Sequence, residues 1–114
     1  MKIKLEGKDI FFGFGLHFLG RVHSEMGMHP LFVTAKIKSN TDIVDLMYIS
    51  ARSEHFLDDR LFPFTKRDFI EKMLEDPKLE EHISEFWGHY QKTVQVEFLD
   101  KLQEAQDEEK KKKK

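Results

Sequence analysis

A β-hairpin that runs straight into a helix constrains this chain more than any other feature. Lys2-Ile3-Lys4-Leu5 and Asp9-Ile10-Phe11-Phe12-Gly13-Phe14 flank a Glu6-Gly7-Lys8 turn. Alternating side chains on either side of a glycine-containing turn predict two antiparallel strands. From Gly15 the period changes. Leu16, Leu19, Val22 and Met26, with Phe18, return at helical spacing, and Gly27 with Pro30 closes the run. Ile3, Leu5, Ile10 and Phe12 share one face of the hairpin, which is expected to pack on the first or the last helix.

The remaining sequence reads as helices. Leu31 to Ile37 suits a short helix, although Phe32-Val33-Thr34 also has strand character. A second long helix is expected from Asn40 or Thr41 to about Arg52 or Ser53, with Ile43, Leu46, Met47 and Ser50 on its inner face. Ser53 to Phe64 then reads as a connection, unusually apolar through Phe56, Leu57, Leu61, Phe62 and Phe64. Thr65 with Asp68 predicts the next helix start, and Phe64 and Phe69 are placed to staple it. A last helix from Pro77-Lys78 to about Gln106 follows one stripe: Leu79, Ile83, Phe86, Tyr90, Val94, Phe98 and Leu102. Gly88 interrupts it as a weak point, while Val96 and Leu99 lie off the stripe. The expected fold is therefore α+β, mainly α: an N-terminal hairpin packed on a bundle of about four helices, the last of them long. Residues 1–106 make one domain and 107–114 a charged, disordered tail.

A chain of 114 residues supports a single core. Eleven Phe among 39% hydrophobic residues make that core rich in rings. The formal charge of −2 conceals an asymmetry: without Lys110 to Lys114 there are 14 basic against 21 acidic residues. An acidic body repels the phosphate backbone, so no nucleic-acid partner is expected. The absence of Cys removes thiol nucleophiles and Cys-ligated zinc. No apolar run approaches the roughly 20 residues that cross a bilayer, and Met1-Lys2-Ile3-Lys4 is unlike a signal peptide. The expectation is a soluble, cytoplasmic protein without a membrane partner.

Several patterns invite a chemical reading. Gly15 and Gly20 have the glycine spacing of a phosphate-binding loop, but Arg21-Val22 stands where that loop needs Lys and Ser or Thr. Gly13-x-Gly15 lacks a third glycine for a dinucleotide site. His82, Glu85 and His89 can share a helix face, yet a catalytic zinc or di-iron site needs ligands from another element. Glu54, Asp58 and Asp59 lack the spacing of a calcium loop. Ser50 and Ser53 near His55 have no nucleophile elbow around them. These readings give no catalytic residue, no metal and no cofactor.

The block Lys2 to Gly15, followed by Leu16 to Val22, resembles phage tail assembly chaperones, the small proteins encoded just before the tail tape-measure protein. The resemblance extends to Asp45-Leu46-Met47-Tyr48-Ile49-Ser50-Ala51, to Thr65-Lys66-Arg67-Asp68-Phe69-Ile70 and to the helix from Phe86 to Thr93. It covers most of residues 2–95 as a pattern, without an invariant motif. Gly13-Phe14-Gly15-Leu16-His17 departs from it, since a polar or charged residue is expected before that helix. The resemblance implies a non-enzymatic chaperone, absent from the finished virion. Such a protein holds the tape-measure protein in solution in the host cytoplasm and assists assembly of tail-tube subunits. It also implies a longer product made by ribosomal frameshifting, for which the Lys110 to Lys114 run is suggestive. A holder of apolar helices needs exposed apolar anchors; Phe56, Leu61, Phe62, Val96 and Leu99 are the candidates. Two alternatives stay open: a bacterial helical adaptor or regulatory domain without a phage role, and a small metal-dependent enzyme using His82, Glu85 and His89.

Overall fold

A computed structural model describes residues 1–100. Strand β1 (Lys2–Leu5) pairs antiparallel with β2 (Lys8–Phe11), with Leu5 opposite Lys8 and Ile3 opposite Ile10. Glu6 and Gly7, the two residues between, both have positive φ, at 50° and 75°. That is the primed turn whose twist matches the strands, and glycine adopts it without steric cost. Five helices follow: α1 (Leu16–Met26), α2 (Pro30–Lys36), α3 (Asn40–Leu57), α4 (Lys66–Glu75) and α5 (Leu79–Val94). A π-helical segment, Gln95–Asp100, continues α5. The molecule is mainly helical with an N-terminal hairpin, the α+β class expected from the sequence.

Local chemistry sets most boundaries. Gly27 ends α1 in the left-handed conformation, and Pro30 opens α2 at the position where a missing N–H costs nothing. Thr65 caps α4, its hydroxyl accepting from the Asp68 N–H at 3.2 Å. The rings against Phe69 are those of Phe62, at 5.7 Å, and Tyr48, at 5.8 Å, and Phe64, expected to staple the helix, meets Phe62 instead. Two boundaries differ from the sequence reading. Ser39, not Asn40 or Thr41, caps α3: its hydroxyl accepts from the Asp42 N–H while the Asp42 carboxylate accepts from the Ser39 N–H, a reciprocal capping box. The same helix continues past Ser53 to Leu57, so the connection shrinks to residues 58–65. Ser53 and His55, polar residues that look like the start of a loop, are buried on its inner side.

Helix α3 is the central element, with α1, α4, α5 and β2 all packed on it. Its buried residues, Ile43, Val44, Leu46, Met47, Ile49, Ser50, Ala51, Ser53 and His55, cover more than one face, as a helix with neighbours on several sides requires. The hairpin face formed by Ile3, Leu5, Ile10 and Phe12 is buried, as expected. Its principal helical neighbour is α3 rather than α1, with α5 contributing Phe86 against Phe12 at 5.8 Å. Rings build two clusters. Phe12, Phe14, Phe18, Phe86 and Tyr90 meet edge-on or tilted in one; Tyr48, His55, Phe62, Phe64 and Phe69 form the other.

Polar links tie distant segments to this core. The Tyr90 hydroxyl donates to the Pro30 carbonyl at 2.9 Å, and burial raises that phenol far above its ordinary pKa. Ser50 donates to the Gly13 carbonyl at 2.9 Å. Lys72 on α4 reaches Glu6 at the hairpin turn, 2.9 Å away, and this carboxylate raises the pKa of the ammonium. The expected stripe of α5 is buried at Ile83, Phe86, Tyr90 and Val94, and Gly88 lies within the helix on its exposed side. Leu16 is the exception in α1: it stands at the first helical position and is exposed, so the buried stripe begins at Phe18. Leu102 and the charged 107–114 segment lie outside the described residues.

Candidate functional site

The end of α3 and the connection after it carry the most unusual surface. Phe56 and Leu57 occupy the last turn of α3 and are exposed, and Leu61 is 92% exposed. Helical spacing puts Phe56 and Leu57 on the side of buried Ser53, three and four residues on, so their exposure follows from their place in the last turn of the helix and not from its periodicity. Phe62 points the other way. It is half-buried among Tyr48, His55, Phe64 and Phe69, and supplies the floor of this patch rather than an exposed anchor. A shallow concavity of about 200 Å³ lies here, lined by Arg21, Arg52, His55, Phe56, Arg60, Leu61 and Phe62.

Cations rim the concavity. The Arg21 guanidinium lies 5.6 Å from the centre of the Phe56 ring, which also stacks on His17. Arg60 lies over Phe11 of the hairpin at 4.3 Å. Arg52 is held by Glu25 at 3.1 Å and lies 5.2 Å from the Tyr48 ring centre. Such cation–ring contacts fix long side chains in place without using the hydrogen bonds of the guanidinium.

His55 anchors the patch from below. Its Nε2 accepts the Phe11 N–H at 3.1 Å, which places the ring proton on Nδ1, a buried atom near the Leu61 backbone but outside good hydrogen-bond geometry. Desolvation lowers the His55 pKa and Arg60 lowers it further, outweighing the Leu61 carbonyl, Asp58 and Glu54, which favour the proton. The ring is therefore neutral in the folded protein at neutral pH.

Val96 and Leu99 form a second exposed pair, on the π-helical segment. Phe98, between them in sequence, turns inward and meets His29 edge-on at 4.6 Å, near the start of α2. Phe32, exposed on α2, stands 6.1 Å from the same His29 ring. The structure thus splits the five candidate residues into two patches on different elements: Phe56 and Leu61 over Phe62, and Val96 with Leu99.

The remaining candidates are placed as follows. His82 bonds Asp76 at 2.7 Å, while His89 stacks on Phe14, so the histidines of the proposed metal face have separate partners. Among the described residues no group of three His, Asp or Glu side chains is arranged to hold a metal. Ser53 is buried and hydrogen-bonded to His17 Nδ1, leaving its hydroxyl no approach from solvent. Gly15 is the residue before α1 and Gly20 lies on its exposed side. Asp45, at a cleft with Lys66 and Arg52, has its pKa raised by burial.

Sequence reasoning missed Arg21 and Arg60, and placed Leu57 in the apolar connection without making it an anchor. The spacing of His17 and Arg21 places both on one face of α1, a signal that was present, but their shared target Phe56 is far along the chain. The architecture defines a mainly helical α+β protein with a hairpin built into its core and two exposed apolar patches. No family model matches the chain, and no curated protein or solved structure matches it. Among the described residues no helix is long and apolar enough to cross a membrane.

Proposed function

We propose that this protein is a non-enzymatic chaperone of phage or prophage tail assembly, which holds the tape-measure protein and assists tail-tube assembly in the host cytoplasm. The observation that carries the reading is the grouping of exposed apolar residues at the end of α3, Phe56, Leu57 and Leu61, with Val96 and Leu99 exposed on the π-helical segment; Leu16, Phe32 and Leu74 are exposed singly on other elements. Scattered single apolar residues are ordinary on a surface; grouped ones mark interaction sites. The resemblance of the hairpin-to-helix block supplies the identity of the client, and the surface supplies a means of holding it. An apolar helical client would lay its stripe across these anchors, with a few central contacts carrying most of the affinity.

Co-expression with the tape-measure protein encoded downstream tests this. The parent is expected to keep that client in solution and to co-purify with it. A Leu61→Ser, Leu99→Ser double variant is expected to melt like the parent and lose the client. Phe62→Ser is unsuitable, because its ring packs in the body. Retained capture by the folded double variant would rule out these patches. Failure of the parent to hold the client, or a gene neighbourhood without one, would favour the helical adaptor without a phage role.

A further inference from the structure

The patch at the end of α3 combines exposed apolar groups with three arginines, of which only Arg52 has a carboxylate partner among the described residues, Glu25. Among the described residues neither Arg21 nor Arg60 forms an ion pair; each is held instead against a ring face, Phe56 and Phe11 respectively. Three arginines and no carboxylate line the concavity between them, whose floor is Phe62 and His55. Asp58 and Asp59 belong to the same connection, are exposed, and bond neither arginine. A concentration of guanidinium groups stands out on a body with 14 basic and 21 acidic residues outside its terminal lysines.

From this charge pattern we infer that the patch binds an acidic amphipathic segment of a protein partner, one apolar side chain entering the concavity and flanking carboxylates meeting Arg21 and Arg60. The concavity, about 200 Å³, admits a single Leu- or Phe-sized group. A guanidinium already immobilised on a ring presents its donor fork to a carboxylate with little further loss of freedom, and pairs with both oxygens at once. Leu61 and Phe56 exclude water from those pairs, as near-neutral surrounding contacts do at other interfaces. The apolar groups beside the arginines, Phe56, Leu61 and Phe62, favour a peptide, which supplies apolar side chains and carboxylates together, over a nucleic acid as the source of the anion. This inference rests on the reading of the patch as a client site and adds the chemistry of the segment that it selects.

Two synthetic helical peptides test it, one with Leu every third or fourth residue and Glu elsewhere, the other with every Glu replaced by Lys. Titrated into the full chain, the Glu peptide is expected to bind and the Lys peptide not to. Binding of the Glu peptide should weaken from about 0.05 to about 0.5 M salt. Arg21→Gln and Arg60→Gln are each expected to weaken it about tenfold, with Lys at the same positions restoring only part of the loss. Equal binding of both peptides, binding of neither, or unchanged affinity in the arginine variants would overturn the inference. Client co-purification separates this result from the broader reading. If the arginine variants retain the tape-measure protein while Leu61→Ser, Leu99→Ser loses it, apolar holding stands and acidic selection falls.

Discussion

His55 shows how one side chain serves both structure and surface. It is buried at the end of α3, accepts the Phe11 N–H of the hairpin, and floors the Arg-rimmed concavity. Protonation would remove the lone pair that accepts this bond and place a charge in a desolvated site beside Arg60. Because the folded-state pKa lies below the ordinary value of 6.5, the unfolded chain binds the proton more readily. Stability from this group is then complete above about pH 6.5 and is lost as pH falls through the folded-state pKa. Urea unfolding between about pH 7.5 and 5 should therefore show a decline, of at most about 1.4 kcal/mol per pH unit from this residue. His55→Gln should flatten it; an unchanged slope would remove His55 as its source. Ile10 gives a second case at this scale. It is fully buried on the hairpin face, so Ile10→Asp should cost on the order of 3 kcal/mol or more through an unpaired buried charge. A variant that melted like the parent would mean that the hairpin is an undocked arm.

At the scale of elements, the starts of α3 and α4 rest on side-chain caps. Ser39→Ala and Thr65→Ala should each lower stability by about 1 kcal/mol in denaturant melts. Asn40→Ala and Thr41→Ala, one and two residues inside α3, should stay within about 0.5 kcal/mol. The reverse ranking would move the α3 cap. These two helix starts also show what is legible in a sequence. Thr65 stands out because Pro63 precedes it and a single Asp follows at capping distance. Asn40 and Thr41 read as caps by residue type alone, and only the return bond, in which the Asp42 carboxylate accepts the Ser39 N–H, sets Ser39 apart from them. The hairpin and the α5 stripe were readable because their signals are local and periodic. The extension of α3 to Leu57 was not, since Ser53 and His55 are buried polar residues whose partners, His17 and Phe11, lie 36 and 44 residues upstream. For the same reason Phe62 read as an anchor: its inward turn depends on Tyr48 and Phe69, which the sequence places on either side of it without showing that they converge.

Across the whole molecule, the apolar anchors lie in the last turn of α3, the connection after it and the π-helical segment, while the centre is closed by contacts between distant segments. The Tyr90 hydroxyl that meets the Pro30 carbonyl spans 60 residues, and it belongs to the helix that also supplies Phe86 to the hairpin. At a synthesis rate of about 5–20 residues per second, those 60 residues take roughly 3–12 s to make. The first strands of a nascent chain can pair with each other long before that, yet the surfaces that bury their apolar face do not all exist until α5 has emerged. During this interval the newborn protein can cover the face of Ile3, Leu5, Ile10 and Phe12 with α3 alone, and Phe12 stays open to association with neighbouring chains until Phe86 arrives.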